Sequence, residues 1–269
     1  MIDPLQAVVL GAVEGLTEFL PVSSTGHLIL TANLLGLHGE AVKTFEVVIQ
    51  AGSLGAVVGL YRARVRAMWR GLLGRDGAGR GLLVKLLVSF FPAAVLGVLA
   101  HRLIKQQLFG VWPVVAALML GGMLMIGLDR WLKRRGRGQH RTLESLTLRE
   151  ALVIGLAQGV ALWPGTSRAM TTILAGLLLG LPAPVAAEYS FLLALPTLGA
   201  ATVFDAVGGG QTLLAEAGLV SVGCGFVTAA VVAALAIHGF IRYLARRGLA
   251  PFGWYRVGLG GIIWWIGHS

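Results

Sequence analysis

Long apolar runs with almost no charge set the first limit on what this chain can become. Gly218–Phe240 carries no Asp, Glu, Lys or Arg, and Phe45–Tyr61, Leu82–Ala100, Pro113–Asp129 and Ala186–Phe204 carry at most one charged residue each. Runs near ~20 apolar residues match the helix length that crosses a bilayer. Over the 269 residues, 56% are hydrophobic and 13% charged. A soluble domain of that make-up would expose large sticky patches. The fold class read from this is an all-α polytopic membrane protein.

The formal net charge is +10. A basic excess in a soluble protein points to nucleic acid, but here the arginines sit between apolar runs, as in cytoplasmic loops, and no nucleic-acid partner is expected. The lone cysteine, Cys224, excludes an intramolecular disulfide or a thiol metal cluster. There is no P-loop, no G-x-G-x-x-G in a βαβ setting and no H-E-x-x-H. Asp3 and Pro4 stand where a signal peptide would be basic.

Two apolar runs are too short to span. Leu5–Leu20 is cut by Pro21 and resumes as Gly26–Leu37, and Ala151–Trp163 is cut by Pro164-Gly165 and resumes as Ser167–Leu181. Short halves around a break read as re-entrant or broken helices. A shift of 144 residues lays Ala7–Gly15 on Ala151–Gly159 and Ser53–Ala56 on Thr197–Ala200, and Pro21–His27 meets Pro164–Met170 after one gap. The chain therefore reads as one integral membrane domain, 1–269, built as an inverted repeat. Repeat 1 covers about 1–130, a cytoplasmic linker about 131–149 and repeat 2 about 150–269. Each half is a broken hairpin plus three spans, six spans in all, and an odd number per half puts the halves in opposite orientations.

The positive-inside rule gives the sides. The linker Arg130–Arg149, the segment Arg62–Arg80 and Arg242–Arg247 fall on the cytoplasmic face. Asp205–Glu216, read as a loop, has no Lys or Arg and falls outside with both termini. Only the short connection at His101, Arg102 and Lys105 runs against the bias. Gly11 and Gly15 suit close helix packing.

The chemistry sits at the breaks. Glu14 and Glu18 are four apart and share a helix face. Ser23, Ser24 and Thr25 can cap the next helix, Gly26 allows close backbone approach, and His27 follows one turn in. In the second break Thr166 and Ser167 precede Arg168. Helix N-termini attract anions, and Arg168 adds a fork suited to phosphate. Two carboxylates in low dielectric call for protons or a divalent cation, and oxygen donors suit Mg2+ or Ca2+. The spacing of Ser23 or Ser24 to His27 allows a hydroxyl nucleophile with an imidazole base, or an imidazole nucleophile. The residues point to phosphoryl chemistry on a lipid-soluble substrate.

E-G-L-T-E-F-L-P-V-S-S-T-G-H (Glu14–His27) and P-G-T-S-R (Pro164–Arg168) resemble the two signature motifs of the undecaprenyl-diphosphatase family, also called bacitracin-resistance proteins. Lys43–Ser53 and Glu188–Pro196 are similar to that family's neighbouring segments, and the resemblance covers nearly the whole chain. It implies a bacterial inner-membrane hydrolase that converts undecaprenyl diphosphate to the monophosphate, recycling the carrier for peptidoglycan synthesis and conferring bacitracin resistance. It implies a site open to the periplasm, a divalent cation on Glu14 and Glu18, and Ser24, His27, Glu18 and Arg168 as catalytic residues. Ser24 is then the favoured nucleophile, His27 the acid/base, and Arg168 the group that stabilises phosphoryl charge. Ser23, Thr25, Gly26, Thr166 and Ser167 would complete the phosphate site. Ala169-Met170 replace the family's usual Ser-Gly, which removes a hydroxyl and a flexible glycine beside Arg168. The expected partners are a polyprenyl diphosphate lipid and membrane lipids, with a homodimer also open. The competing class is a polyprenyl-phosphate lipid transporter using the same inverted-repeat cavity.

Overall fold

The computed structural model describes residues 2–108, 110–135 and 141–266. Among these, all regular structure is helical. In chain order the helices are α1 Pro4–Thr17, α2 Ser24–Leu34, α3 Glu40–Leu60, α4 Arg62–Leu72, α5 Gly77–Gln107, α6 Val111–Arg135 and α7 Leu148–Gly159. A 3-10 turn at Val160–Leu162 precedes α8 Arg168–Leu178, α9 Ala183–Arg247 and α10 Ala250–Ile266. Non-helical backbone at Gly218 kinks α9.

Among the described residues, five helical stretches are long and apolar enough to cross a membrane: Glu40–Leu60, Gly77–Ala100, Val111–Arg134, Ala183–Phe204 and Ala217–Arg247. The expected sixth span corresponds to α10, which has 17 described residues. Apolar side chains such as Val98, Phe204 and Leu219 are more than three-quarters exposed, which is how a surface facing lipid rather than water looks.

Three connections expected from sequence are helical instead. Arg62–Arg80 contains α4, because its arginines alternate with good helix formers. His101, Arg102 and Lys105 continue α5, since a helix does not end merely because it reaches polar surroundings. Asp205–Glu216, read as a loop for its glycines and polarity, lies within α9. Helix α2 begins at Ser24 rather than at Gly26. Arg137 and His268 lie outside the described residues.

The chain forms two compact units, each drawing on both halves of the sequence. The first comprises Met1–Leu20, Ser24–Arg62 and Ala194–Gly239. Its core gathers Ala7, Leu10, Leu28, Phe45, Ile49 and Ala229. Glycines let backbones touch here: a Cβ at Gly15 would lie 2.5 Å from the Ala229 carbonyl oxygen and 2.8 Å from the Ala233 nitrogen, and one at Gly11 would strike the Gly225 carbonyl. The small-residue packing expected of these two positions is present.

The second unit comprises Pro21–Ser23, Ala63–Leu193 and Phe240–Ser269. In it α6 lies along α10, α5 along α7, and α7 against α8. The Ser89 hydroxyl donates to the Ala151 carbonyl at 2.6 Å, tying α5 to α7. Polar clamps close one end. Arg64 pairs with Glu144 at 2.6 Å and with Glu188 at 3.0 Å. Arg141 holds Glu150 through both guanidinium nitrogens at 2.9 and 3.0 Å, and also donates to the Leu179 carbonyl at 2.6 Å.

Candidate active site

The first break follows from α1. Asp3 and Gln6 form a capping box and Pro4 takes the first turn, so the helix is firmly started. It ends at Thr17, where the Glu18 N–H donates to the Glu14 carbonyl at 2.9 Å. Pro21 has no N–H to continue the ladder. Ser23 has a φ of 74°, left-handed backbone that costs a side-chain-bearing residue energy. The chain then re-enters a helix at Ser24.

That reversal brings the Ser24 hydroxyl back onto α1. Ser24 Oγ donates to Glu18 Oε2 at 2.6 Å, and the bond is buried. It is a short hydroxyl–carboxyl bond, at the close end of the range for O–H···O contacts. Glu14, one turn earlier, is wholly buried, and Glu18 nearly so. His27 lies one turn beyond Ser24 and is half-buried, with its carbonyl accepting from Thr31 Oγ1 at 2.8 Å. Gly26 is buried and Thr25 exposed.

The second break has the same logic. Thr147 and Glu150 form a capping box that starts α7. After the 3-10 turn, Trp163 Nε1 donates to the Pro113 carbonyl at 3.0 Å, and the Thr166 N–H donates to the Trp163 carbonyl at 3.1 Å. Gly165 has a φ of 90°, and a Cβ there would lie 2.9 Å from the Val114 carbonyl oxygen, so glycine is required twice over. Ser167 has a φ of 72°, and its hydroxyl accepts from the Met170 N–H at 3.2 Å, capping α8. Ser23 and Ser167 are the only non-glycine residues with positive φ among those described.

Arg168 opens α8. Its Nη1 donates to the Ser190 carbonyl at 2.8 Å, and its own carbonyl accepts from Thr172 Oγ1 at 2.8 Å. Thr172 and Ser190 share a further hydroxyl–hydroxyl bond at 2.7 Å. The guanidinium is half-buried and aimed by these contacts. Thr166 is buried and Ser167 half-buried beside it. Ala169 and Met170, the two departures from the family pattern, are buried core residues of α8.

The structure thus joins Ser24 to Glu18, with Glu14 one turn before Glu18 and His27 one turn beyond Ser24, and places Thr166, Ser167 and Arg168 in succession at the second break. Sequence reasoning missed Ser190, which orients Arg168. It also missed Arg256 of α10, whose guanidinium is wholly buried. The available signal for Arg256 was an ionisable residue inside an apolar run, the signal that singled out Glu14.

The chain is similar over nearly its whole length to known proteins. The family described as "Bacitracin resistance protein BacA" matches residues 7–262. A protein named undecaprenyl-diphosphatase from Sorangium cellulosum is 52% identical over 97% of this chain and 85% of its own length. Proteins of the same name from Wolinella succinogenes and Methylococcus capsulatus are 45% and 43% identical, over 96% and 99% of this chain and 96% of their own lengths. With a match over nearly its whole length, the chain belongs to the bacitracin resistance protein BacA family.

Proposed function

We propose that this chain is an undecaprenyl-diphosphate phosphatase: it hydrolyses undecaprenyl diphosphate to the monophosphate and inorganic phosphate, and so serves cell-wall synthesis and bacitracin resistance. The relatives' names support the substrate, and the buried Ser24–Glu18 hydrogen bond supports the chemistry. A hydroxyl nucleophile needs a base within about 2.6–3.2 Å, and Glu18 meets that requirement. The transporter alternative has no support among these relatives.

In the proposed reaction Ser24 Oγ attacks the terminal phosphorus and its proton passes to Glu18. The bridging P–O bond breaks and undecaprenyl monophosphate leaves. Water then attacks the phosphoserine as His27 takes its proton, the Ser24 Oγ–P bond breaks, Glu18 returns its proton to Oγ, and phosphate departs. Arg168, held by Ser190, stabilises charge on the transferred phosphoryl group. Ser23, Thr25, Gly26, Thr166 and Ser167 supply hydroxyls and helix-start N–H groups to the phosphates.

A divalent cation fits the donor set. Among the described residues no three His, Cys, Asp or Glu side chains are grouped to cage a metal. Magnesium is commonly held by one or two carboxylates plus substrate phosphates, and buried Glu14 and Glu18, one turn apart, are such a pair. When bound, the cation would neutralise charge on the diphosphate.

Element bounds support the duplicated architecture. A shift of 144 residues carries Ser24–Leu34 onto Arg168–Leu178 without the gap that sequence matching needed, and carries Ser23 onto Ser167, the two left-handed serines. It also brings Glu40–Leu60 to within one residue of the start of Ala183–Phe204. With the arginine distribution, this supports inverted halves in the bacterial inner membrane, both termini outside and a site open to the periplasm.

The test is phosphate release from undecaprenyl diphosphate by purified protein with divalent cation present. Wild type should turn over, and Ser24→Ala, His27→Ala and Arg168→Ala should lose most activity. Full turnover by the Ser24 and His27 variants would defeat the mechanism.

A further inference from the structure

Arg256 donates to four backbone carbonyls, and two of them belong to the two breaks. Nη1 reaches Pro21 O at 3.3 Å and Nη2 reaches Gly165 O at 2.9 Å. The other two bonds anchor it to the middle of α6: Nη2 to Ala117 O at 2.9 Å and Nε to Leu118 O at 3.4 Å. All these groups lie in the second compact unit. The four hydrogen bonds all go to carbonyl dipoles, so a guanidinium is kept buried at considerable desolvation cost. A packing role would be served better by an apolar side chain.

Space is reserved for it. A Cβ at Gly121 would lie 2.5 Å from Arg256 Nη2, and one at Gly122 would lie 3.2 Å from Arg256 Cβ. The glycine pair opens a slot in α6 through which the guanidinium reaches both breaks. A broken helix leaves carbonyls that water cannot satisfy inside a membrane. Arg256 satisfies one from each break with a single rigid fork. The bonded carbonyls lie two residues before Ser23 and two before Ser167, the left-handed serines that lead into Ser24 and Arg168.

We infer that Arg256 is a positioning residue for the hydrolysis: it holds in fixed register the Pro21–Ser23 and Pro164–Ser167 segments, the ones that lead in sequence to the nucleophile and to the phosphate-binding arginine. This rests on the phosphatase reading for its kinetic consequence but not for its structural one. Displacing a reacting group by about 1 Å can cost roughly 100-fold in rate, so such a residue acts on kcat.

The experiment compares wild type, Arg256→Lys, Arg256→Gln and Gly121→Ala. Each is assayed for kcat and KM on undecaprenyl diphosphate, for melting temperature in detergent and for amide hydrogen exchange. Arg256→Gln should lower kcat about 100-fold with KM changed by less than about threefold. Arg256→Lys keeps the charge without the fork and should fall in between. Gly121→Ala, which crowds the guanidinium without removing it, should shift kcat the same way. In all three, exchange should rise at Ser23–Gly26 and at Ser167–Met170 together. If Arg256→Gln does not fold, the lysine and alanine variants carry the same comparison. Wild-type kcat, a defect in KM alone, or increased exchange at one break only would overturn the inference. If wild type itself releases no phosphate, the phosphatase reading fails, and exchange at the two breaks still decides whether Arg256 holds them.

Discussion

Ser24 and Glu18 face each other across a broken helix, hydroxyl to carboxylate, with 2.6 Å between oxygens. Glu18 caps the end of α1 and Ser24 opens α2, only six positions apart, because the turn at Pro21 folds α2 back against α1. Removing either partner should therefore act on the chemical step. Ser24→Ala and Glu18→Gln should lower the single-turnover rate of phosphate release by about 100- to 10,000-fold, the range of general acid–base contributions. Single-turnover kinetics with enzyme in excess measures this, and a glutamine variant at wild-type rate would remove Glu18 as the base.

Arg168→Lys should retain the charge but lose the fork aimed by Ser190. A loss of about 100- to 1,000-fold in kcat is expected, the range for removing one donor to developing charge. Thr172→Val removes only the hydroxyl bonded to the Arg168 carbonyl and to Ser190 and should cost far less. Steady-state rates of the two variants, measured side by side, check the ranking.

Acid should loosen the clamps of the second unit. Hydrogen bonds from Arg64 hold the Glu144 carboxyl down at about 2, and those from Arg141 do the same for Glu150, from an ordinary 4.5. A depressed folded-state pKa means the stabilisation is complete above the ordinary value and fades as pH falls towards the folded one. Melting temperature should thus drop between about pH 4.5 and about pH 2. Glu144→Gln with Glu150→Gln should start from a lower melting temperature and show a shallower acid slope.

Ser167 combines a backbone penalty with a cap. Ser167→Ala keeps the left-handed strain and loses the hydroxyl that caps α8, so it should destabilise by about 1 kcal/mol. Ser167→Gly also loses the hydroxyl but relieves a left-handed cost of about 1–2 kcal/mol, so it should melt above the alanine variant. Thermal unfolding of both in detergent distinguishes them.

Gly15→Ala would press a methyl group into the backbone of Ala229 and Ala233. A loss of about 1–3 kcal/mol is expected for such overpacking, read by the same thermal assay.

Much of this was visible in the residues themselves. Glu14, Glu18, Ser24, His27 and Arg168 announce themselves because polar groups are costly in apolar surroundings. Gly11 and Gly15 announce packing because no other residue allows such contact. Charge, however, reports which side of a membrane a segment occupies and not its backbone conformation, so α4 and Asp205–Glu216 were read as loops. Sequence matching aligned the breaks with a gap because Pro21 and Pro164 drew the register, whereas the helix starts at Ser24 and Arg168 align without one. Arg256 was hidden for a different reason. It sits alone among the glycines, tryptophans and aliphatics of α10, and its carbonyl partners are spread across α6 and the two breaks, where no spacing rule connects them.

The short stretch between Glu18 and Ser24 has the properties of a ruler. Phe19–Val22 is a non-helical turn of fixed length, so inserting or deleting one residue there would change which residue at the start of α2 meets Glu18. Thr25 or Ser23 would then point where the Ser24 hydroxyl now meets the carboxylate. Substitutions in that stretch can be absorbed by repacking, but changes in its length cannot.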